Sequence, residues 1–395
     1  MPVISPQYAF DRVIAPVPID RFLADYHEQQ TLVLHREQPE YYSDLVSVAL
    51  LDEFLSARPP HRDRVFAVDS RRKIPPDEYM LADDRIDVIR LYQLFGEGAT
   101  ISFSQMQDRV PALAALCRAA EQVFDCPFQA NLYFTPPNAQ GFKIHHDTHD
   151  VFVLQIAGSK RWRVYDPVIK LPLAEQELDA DETLGPAAEE FTLQAGDLFY
   201  CPRGFPHDAD ATDEHSLHVT FGALAYTWAE VMIETMADSC LNDPDFRAAL
   251  PIGFATGRAD AVALEAQFRK LIDKFRRTAR LNPALDGVAE KFVGTRRALV
   301  PRQRDQAIGL NALTVESLVG GRPGLIYRWC GGEDNVKLHC HSNEIGFPRR
   351  IVGAVTYALE TPRFQVRDIP GALDDSSKLV LIRRLIREGL VVLIH

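Results

Sequence analysis

Two stretches of this chain each join strand-forming apolar runs to side chains able to hold a metal, and few folds accommodate both. They read GFKIHHDTHDVFVLQIAGSKRWRVY (residues 141–165) and AGDLFYCPRGFPHDA (residues 195–209). Side chains alternate faces along a strand, so a strand through His145 and Asp147 turns both to the same side. Downstream, Val151 to Ile156 is an apolar run of strand type, Gly158 and Ser159 make a turn, and Arg161 to Tyr165 form a second strand. In the other stretch Gly196-Asp197 is a turn and Leu198 to Cys201 a short apolar strand. Pro202, Gly204 and Pro206 then stiffen the approach to His207. Hairpins that each end in a candidate ligand predict a double-stranded β-helix with a metal at its mouth.

Two imidazoles and one carboxylate can fill one face of an octahedron and leave three positions open. That is the ligand set of non-haem Fe(II) oxygenases, whose open positions receive a co-substrate and dioxygen. The His-x-Asp spacing is weak by itself. His61-Arg62-Asp63 repeats it inside the charged, proline-led PPHRDR, with no partner histidine in a matching strand, and reads as surface. Context separates the two. If His145 and Asp147 face the metal, His146 points away from it. His149 shares their parity and could line the mouth, but a place behind the ligands, supporting them, or in a loop is the expectation. His215 and His218, in EHSLHVTF, are expected on a strand as satisfied barrel residues.

HHDTHDVFVLQIAGSKRWRVY, GDLFYCPRGFPH and HSLHVTFG resemble the JmjC-type cupin oxygenases that hydroxylate ribosomal proteins, bacterial and nucleolar, over nearly the whole chain. The resemblance implies His145, Asp147 and His207 as the iron-binding, catalytic set. It also implies Lys160 as partner of the distal carboxylate of 2-oxoglutarate, with Asn131 and Tyr133, in ANLYFTPP, lining the co-substrate pocket. Gly222, after HVTF, stands where several relatives carry a serine beside that carboxylate. Read from the residues alone, Lys160 admits two accounts. A buried anion needs a cation or several donors, yet a lysine in a GSKR turn is usually solvated. The implied cofactors are Fe(II), 2-oxoglutarate and dioxygen. The implied reaction is hydroxylation of a histidine or arginine side chain of a ribosomal protein, and Lys160 in place of arginine is similar to the histidine-directed relatives. Other readings are hydroxylation of a peptide natural-product precursor or another protein, N-methyl-lysine demethylation, and a non-catalytic winged-helix binding module. The intact triad with Lys160 weighs against the last.

A length of 395 residues suggests two or three domains. A net charge of −12 argues against broad nucleic-acid affinity and suits a basic protein or peptide partner. Glu175 to Glu190 holds seven carboxylates and reads as a solvated insertion, with steering of a Lys/Arg-rich substrate as the functional alternative. The six cysteines form no CxxC pair, which fits free thiols in a reducing cytosol. In WCGGEDNVKLHCH, a hairpin with a Gly-Gly turn explains Cys330, His339, Cys340 and His341 better than a zinc site does. No secretory signal is visible and no apolar run approaches membrane-spanning length, so a cytoplasmic location is expected.

The chain therefore reads as α+β in three parts. Residues 1–226 hold a mixed leader and the JmjC/cupin barrel, whose core runs from about Asn131 to Leu224. Residues 227–304 are helical. There Leu264, Phe268, Leu271, Ile272 and Phe275 form an apolar stripe that needs a partner surface, within the chain or in a homodimer. Residues 305–395 have the pattern of a winged helix: a hairpin about Gly331 to Asn335, a helix over Arg349 to Leu359, and one capped by Asp375-Ser376. Acids nearby balance its basic residues, so a scaffold or protein-contact role is expected there rather than DNA binding.

Overall fold

The computed structural model describes residues 8–57, 64–179, 184–332 and 334–394. His61, expected at the surface, lies outside the described residues, as do Asp181 and Glu182 of the acidic loop.

The N-terminal half carries strands β1 (Leu32–Leu34), β2 (Val65–Val68), β3 (Thr100–Phe103), β4 (Phe128–Thr135) and β5 (Asp150–Ala157). They continue as β6 (Ser159–Val164), β7 (Glu189–Gln194), β8 (Leu198–Cys201), β9 (His207–Ala211) and β10 (Ser216–Ala223). Seven of them make one antiparallel sheet in the order β1-β8-β5-β10-β4-β3-β2, and β7-β6-β9 make the sheet facing it. Strand alternation decides what lies between the sheets. Val151, Val153, Phe199 and Cys201 meet Trp162, Val164 and Leu193 there. Phe152, Leu154, Leu198 and Tyr200, one position out of phase, join a larger core behind the seven-stranded sheet, with the helices Phe10–Ile14 and Pro111–Phe124. Because β5 is buried on both faces, its centre, Val151 to Leu154, is an unbroken apolar run rather than an alternation. The turn into β6 needs glycine: Gly158 has φ +60°, and a Cβ would run into the His215 carbonyl.

The barrel reaches further back along the chain than the expected core from Asn131. Strands β1, β2 and β3, read as part of a leader, complete the large sheet, β1 against β8 and β3 against β4. Strands of three or four residues carry too few alternations to be assigned to a sheet by pattern.

The helix Trp228–Asn242 follows, opened by a capping box between Thr227 and Glu230. The expected amphipathic stripe lies on the helix Ala261–Thr278, which buries none of its residues; Phe268 is 60% exposed. The helix Leu281–Gly294 packs back on the first. The C-terminal part has its own core. It contains β11 (Leu318–Gly321), β12 (Tyr327–Gly331), β13 (Asn335–Cys340), β14 (Asn343–Pro348), β15 (Phe364–Gln365) and β16 (Val391–Leu393), in sheets β15-β11-β16 and β12-β13-β14. The expected hairpin is β12–β13, with Cys330 opposite Lys337 and Cys340 opposite Tyr327. Asp374, one residue earlier than expected, caps the last helix, Asp375–Arg387. Arg118 ties the halves together, donating to the carbonyls of Gly324 and Arg297.

Candidate metal centre

His145 and His207 sit directly opposite each other in a two-residue bridge. The His145 N–H donates to the His207 carbonyl at 3.2 Å and the His207 N–H to the His145 carbonyl at 2.8 Å. Since β5 begins only at Asp150, the His-x-Asp pair occupies an irregular segment ahead of the strand and not a strand position, as its spacing had predicted. Backbone pairing replaces strand regularity in aiming the ligands. The Gly204 N–H donates to the Asp147 carbonyl at 3.0 Å, so the Pro-Arg-Gly-Phe-Pro turn grips the segment from outside. Gly204 has φ +87°, and a Cβ there would crowd Pro172, so this turn requires glycine.

The side chains of His145, Asp147 and His207 converge, with one ligand atom from each within 4.8 Å of the others. Asp147 Oδ2 lies 3.8 Å from His207 Nε2. His145 Nδ1 faces the Lys143 carbonyl at 2.8 Å, and His207 Nδ1 faces the Phe205 carbonyl at 3.0 Å. A ring nitrogen facing a carbonyl is the protonated one, which leaves each Nε2 with a lone pair for a metal. Burial, and next the neighbouring His145 imidazole, push the His207 imidazole down to about 4, so at neutral pH it is a neutral ligand. This donor set, two nitrogens and one carboxylate on one side of an open cavity, fits a divalent transition metal with positions to spare.

The cavity measures about 220 Å³ and includes Asn131, Tyr133, Lys160 and Trp162 with the three candidate ligands in its lining. Lys160, left open between two accounts by its sequence, is buried, and its Nζ donates to the Thr135 hydroxyl at 3.2 Å. Burial holds its ammonium down to about 7, against a small opposing pull from Asp210. Asp210 is committed elsewhere, to Arg161 and Arg163. An ammonium has three donors, and among the described residues no carboxylate pairs with this one. The cavity thus contains a buried cation in want of an anion, which is what a dicarboxylate would supply. Asn131 accepts from the Gln105 N–H at 2.9 Å. The Tyr133 phenol, held above its ordinary range chiefly by burial, reaches Asn131 and Ser102.

The other histidines divide. His146 points away as expected, its Nε2 facing the Gln176 carbonyl at 2.8 Å. His215 is not on a strand; it precedes β10 and packs against Phe134. His218 is on β10 but is not a satisfied barrel residue. It lines the cavity, stacks on Tyr133 at 5.0 Å between ring centres, and leaves Nδ1 buried without a partner. Burial, reinforced by Lys160, keeps it neutral. Sequence reasoning missed His218 and Thr220 as cavity walls, although period two along β10 places both on one face with Gly222. Gly222 is not in the cavity lining; the His149 ring fills the space its side chain would take.

A family model described as the JmjC domain matches residues 102–231. The chain is 30% identical over 301 residues to a protein of Aedes aegypti named bifunctional lysine-specific demethylase and histidyl-hydroxylase NO66, covering 72% of this chain and 47% of the relative. It is 32% identical over 300 residues to ribosomal oxygenase 2 of Bos taurus, covering 71% and 63%. It therefore spans about half to under two thirds of the length of these relatives. The solved structure of YcfD, a ribosomal oxygenase from Escherichia coli in complex with cobalt and 2-oxoglutarate, superposes with a TM-score of 0.54 at 18% identity, covering 96% of this chain and 99% of that one. At that identity the likeness speaks for the fold.

Proposed function

On the premise that this chain belongs to the JmjC-type cupin oxygenases, we propose that it is an Fe(II)- and 2-oxoglutarate-dependent hydroxylase of a histidine or arginine side chain in a ribosomal protein. One observation carries the reading: three ligands with free lone pairs open onto a cavity whose far end holds a buried, anion-lacking Lys160. His145, Asp147 and His207 would hold iron. Lys160, with Asn131 and Tyr133, would fix 2-oxoglutarate, its ammonium on the distal carboxylate. Bound iron supplies the coupling of dioxygen activation to oxidative decarboxylation of the keto acid. The chain's own part is to orient the acid, keep the His207 imidazole neutral, and exclude water from the space around Trp162 and His218. The test is succinate formation under Fe(II), with peptides tiled across ribosomal proteins scored by mass spectrometry for the gain of one oxygen atom. No succinate with any peptide and none without would overturn it.

A second reading, N-methyl-lysine demethylation, draws on the double activity in the name of the Aedes aegypti relative. Formaldehyde release from methylated peptides separates it from hydroxylation. Around this core we propose the domain limits 1–226, 227–304 and 305–395. The 305–395 part, with its hairpin and the helices Val352–Glu360 and Asp375–Arg387, is read as a winged helix serving protein contacts without direct nucleic-acid binding. The exposed stripe on Ala261–Thr278 supports a homodimer, since an unpartnered face with Phe268 and Ile272 in water is costly. The acidic composition supports a basic partner. Among the described residues no helix is long and apolar enough to cross a membrane; a cytoplasmic location remains part of the proposal.

A further inference from the structure

Gly222 has ordinary extended backbone near the end of β10, so no left-handed φ demands glycine there. Space demands it. A Cβ would stand 2.7 Å from Cδ2 and 2.8 Å from Nε2 of His149. Glycine inside a strand costs stability, and what it returns here is a seat for one imidazole ring. That ring comes from the irregular segment, two residues beyond Asp147, and among the described residues it makes no hydrogen bond.

The strand register orders the cavity from its inner to its outer end. His218 is opposite Tyr133, Thr220 opposite Asn131, and Gly222 opposite Gln129. Lys160, on Thr135 and beside His218, marks the inner end. Successive rungs on one face are about 7 Å apart, so the His149 seat lies roughly 13 Å along the strand from the His218 rung. An acid held by Lys160 therefore leaves the His149 end open. Outside lies a second hollow, of about 520 Å³, with Thr148, Leu173, Glu175 and Ile233 in its lining. His149 is the residue common to the walls of both spaces.

We infer that His149, seated on Gly222, is the substrate-facing residue that the target side chain meets on passing from the outer hollow to the metal, and that it sets which side chains are accepted. With the Cδ2–Nε2 edge against Gly222, the ring offers its faces and its Nδ1 edge. A flat aromatic surface with one hydrogen-bonding edge selects flat, nitrogen-bearing side chains, imidazole or guanidinium, over aliphatic ones. This rests on the hydroxylase reading and assigns a specificity role within it.

The experiment needs no turnover and no identified protein substrate. The full chain is loaded with Co(II) and 2-oxoglutarate, and paramagnetic broadening of N-acetyl-histidinamide, N-acetyl-argininamide and N-acetyl-leucinamide is followed by NMR. The wild type should broaden one or both nitrogen-bearing amides and not the leucine amide. His149→Ala should weaken that binding about tenfold or more while 2-oxoglutarate affinity stays within about twofold. Gly222→Ser, which the family resemblance gives to several relatives, should displace the ring and lose the amide equally. In the His149→Ala background the same serine should add nothing, because its Cβ then meets vacated space. Should Gly222→Ser fail to fold, His149→Ala with Gly222→Ala carries the comparison. Wild-type amide binding in His149→Ala, equal broadening by leucinamide, or a parallel loss of 2-oxoglutarate would overturn the inference. So would a wild type that binds 2-oxoglutarate but broadens no amide. A wild type that binds no 2-oxoglutarate brings down the hydroxylase reading, and the inference with it.

Discussion

Lys160 should make 2-oxoglutarate binding depend on pH in a direction and over a range that its surroundings dictate. Burial holds its ammonium down to about 7 in the free protein, so near neutrality it sits close to half-charged. A carboxylate brought against it favours the charged form, so binding above neutrality must take up a proton. At about pH 8.5 only a few per cent of the lysines are charged beforehand, against roughly three quarters at about pH 6.5. Apparent affinity should fall about twentyfold over that interval, on the order of 2 kcal/mol. Calorimetry on the Mn(II)-loaded protein, run in buffers of different ionisation enthalpy, measures both quantities. Proton uptake should rise from a small fraction toward one as affinity drops. Lys160→Met should bind weakly with no such slope. Lys160→Arg, charged throughout, should flatten it as well, at whatever affinity the fork geometry permits. A wild type whose affinity and proton uptake are level across this range, or a Lys160→Met that keeps the slope, would refute the assignment of Lys160 as the anion's partner.

The same lysine should destabilise the free protein. Its folded value lies below its unfolded one, so between about 7 and 10.5 the unfolded chain binds the extra proton and stability rises with pH across that window. Lys160→Met should accordingly raise the melting temperature of the free protein at neutral pH, by a gain of at least about 1 kcal/mol, and an unchanged or lower value in denaturation would count against it. His145→Ala and Asp147→Ala should abolish succinate formation with circular dichroism unchanged; surviving turnover places the metal elsewhere. Gly196→Ala puts a Cβ at φ +94° against the Gln38 carbonyl and should cost about 1–3 kcal/mol by chemical denaturation. Leu271→Asp, on the exposed Ala261–Thr278 helix, should yield folded monomers in sedimentation if that stripe is a dimer face; an unchanged profile removes the idea.

What was legible in the chain follows from how far each signal extends along it. The candidate ligands could be picked out because the same short stretches hold a metal-binding side chain and the apolar runs that frame it: His207 beside Leu198 to Cys201, His145 and Asp147 ahead of Val151 to Ile156. Their mechanism of alignment could not. Period two predicted a strand through His145, whereas a mutual backbone bridge to His207 and the Gly204 contact with Asp147 do the aiming, and no local pattern encodes a hydrogen bond between residues sixty apart. Lys160 was ambiguous for the related reason that a GSKR turn looks solvated until the opposite strand closes over it with Thr135. Strands β1 to β3 were too short to announce which sheet they would join.

Gly222 shows the limit most sharply. By the family resemblance it stands in the place of a serine, and so reads as a loss: one hydrogen bond fewer for the co-substrate. In three dimensions a glycine without conformational need is evidence of an occupant, and the occupant, His149, lies seventy-three positions earlier in a segment whose own pattern gives its ring no destination. Neither residue is informative without the other. A substitution that leaves backbone geometry ordinary must be explained by what fills the vacated volume, because close-packed interiors do not keep such space empty without cost. For this site the volume is filled by a ring that borders both the metal cavity and the outer hollow, the end at which the proposed substrate would enter.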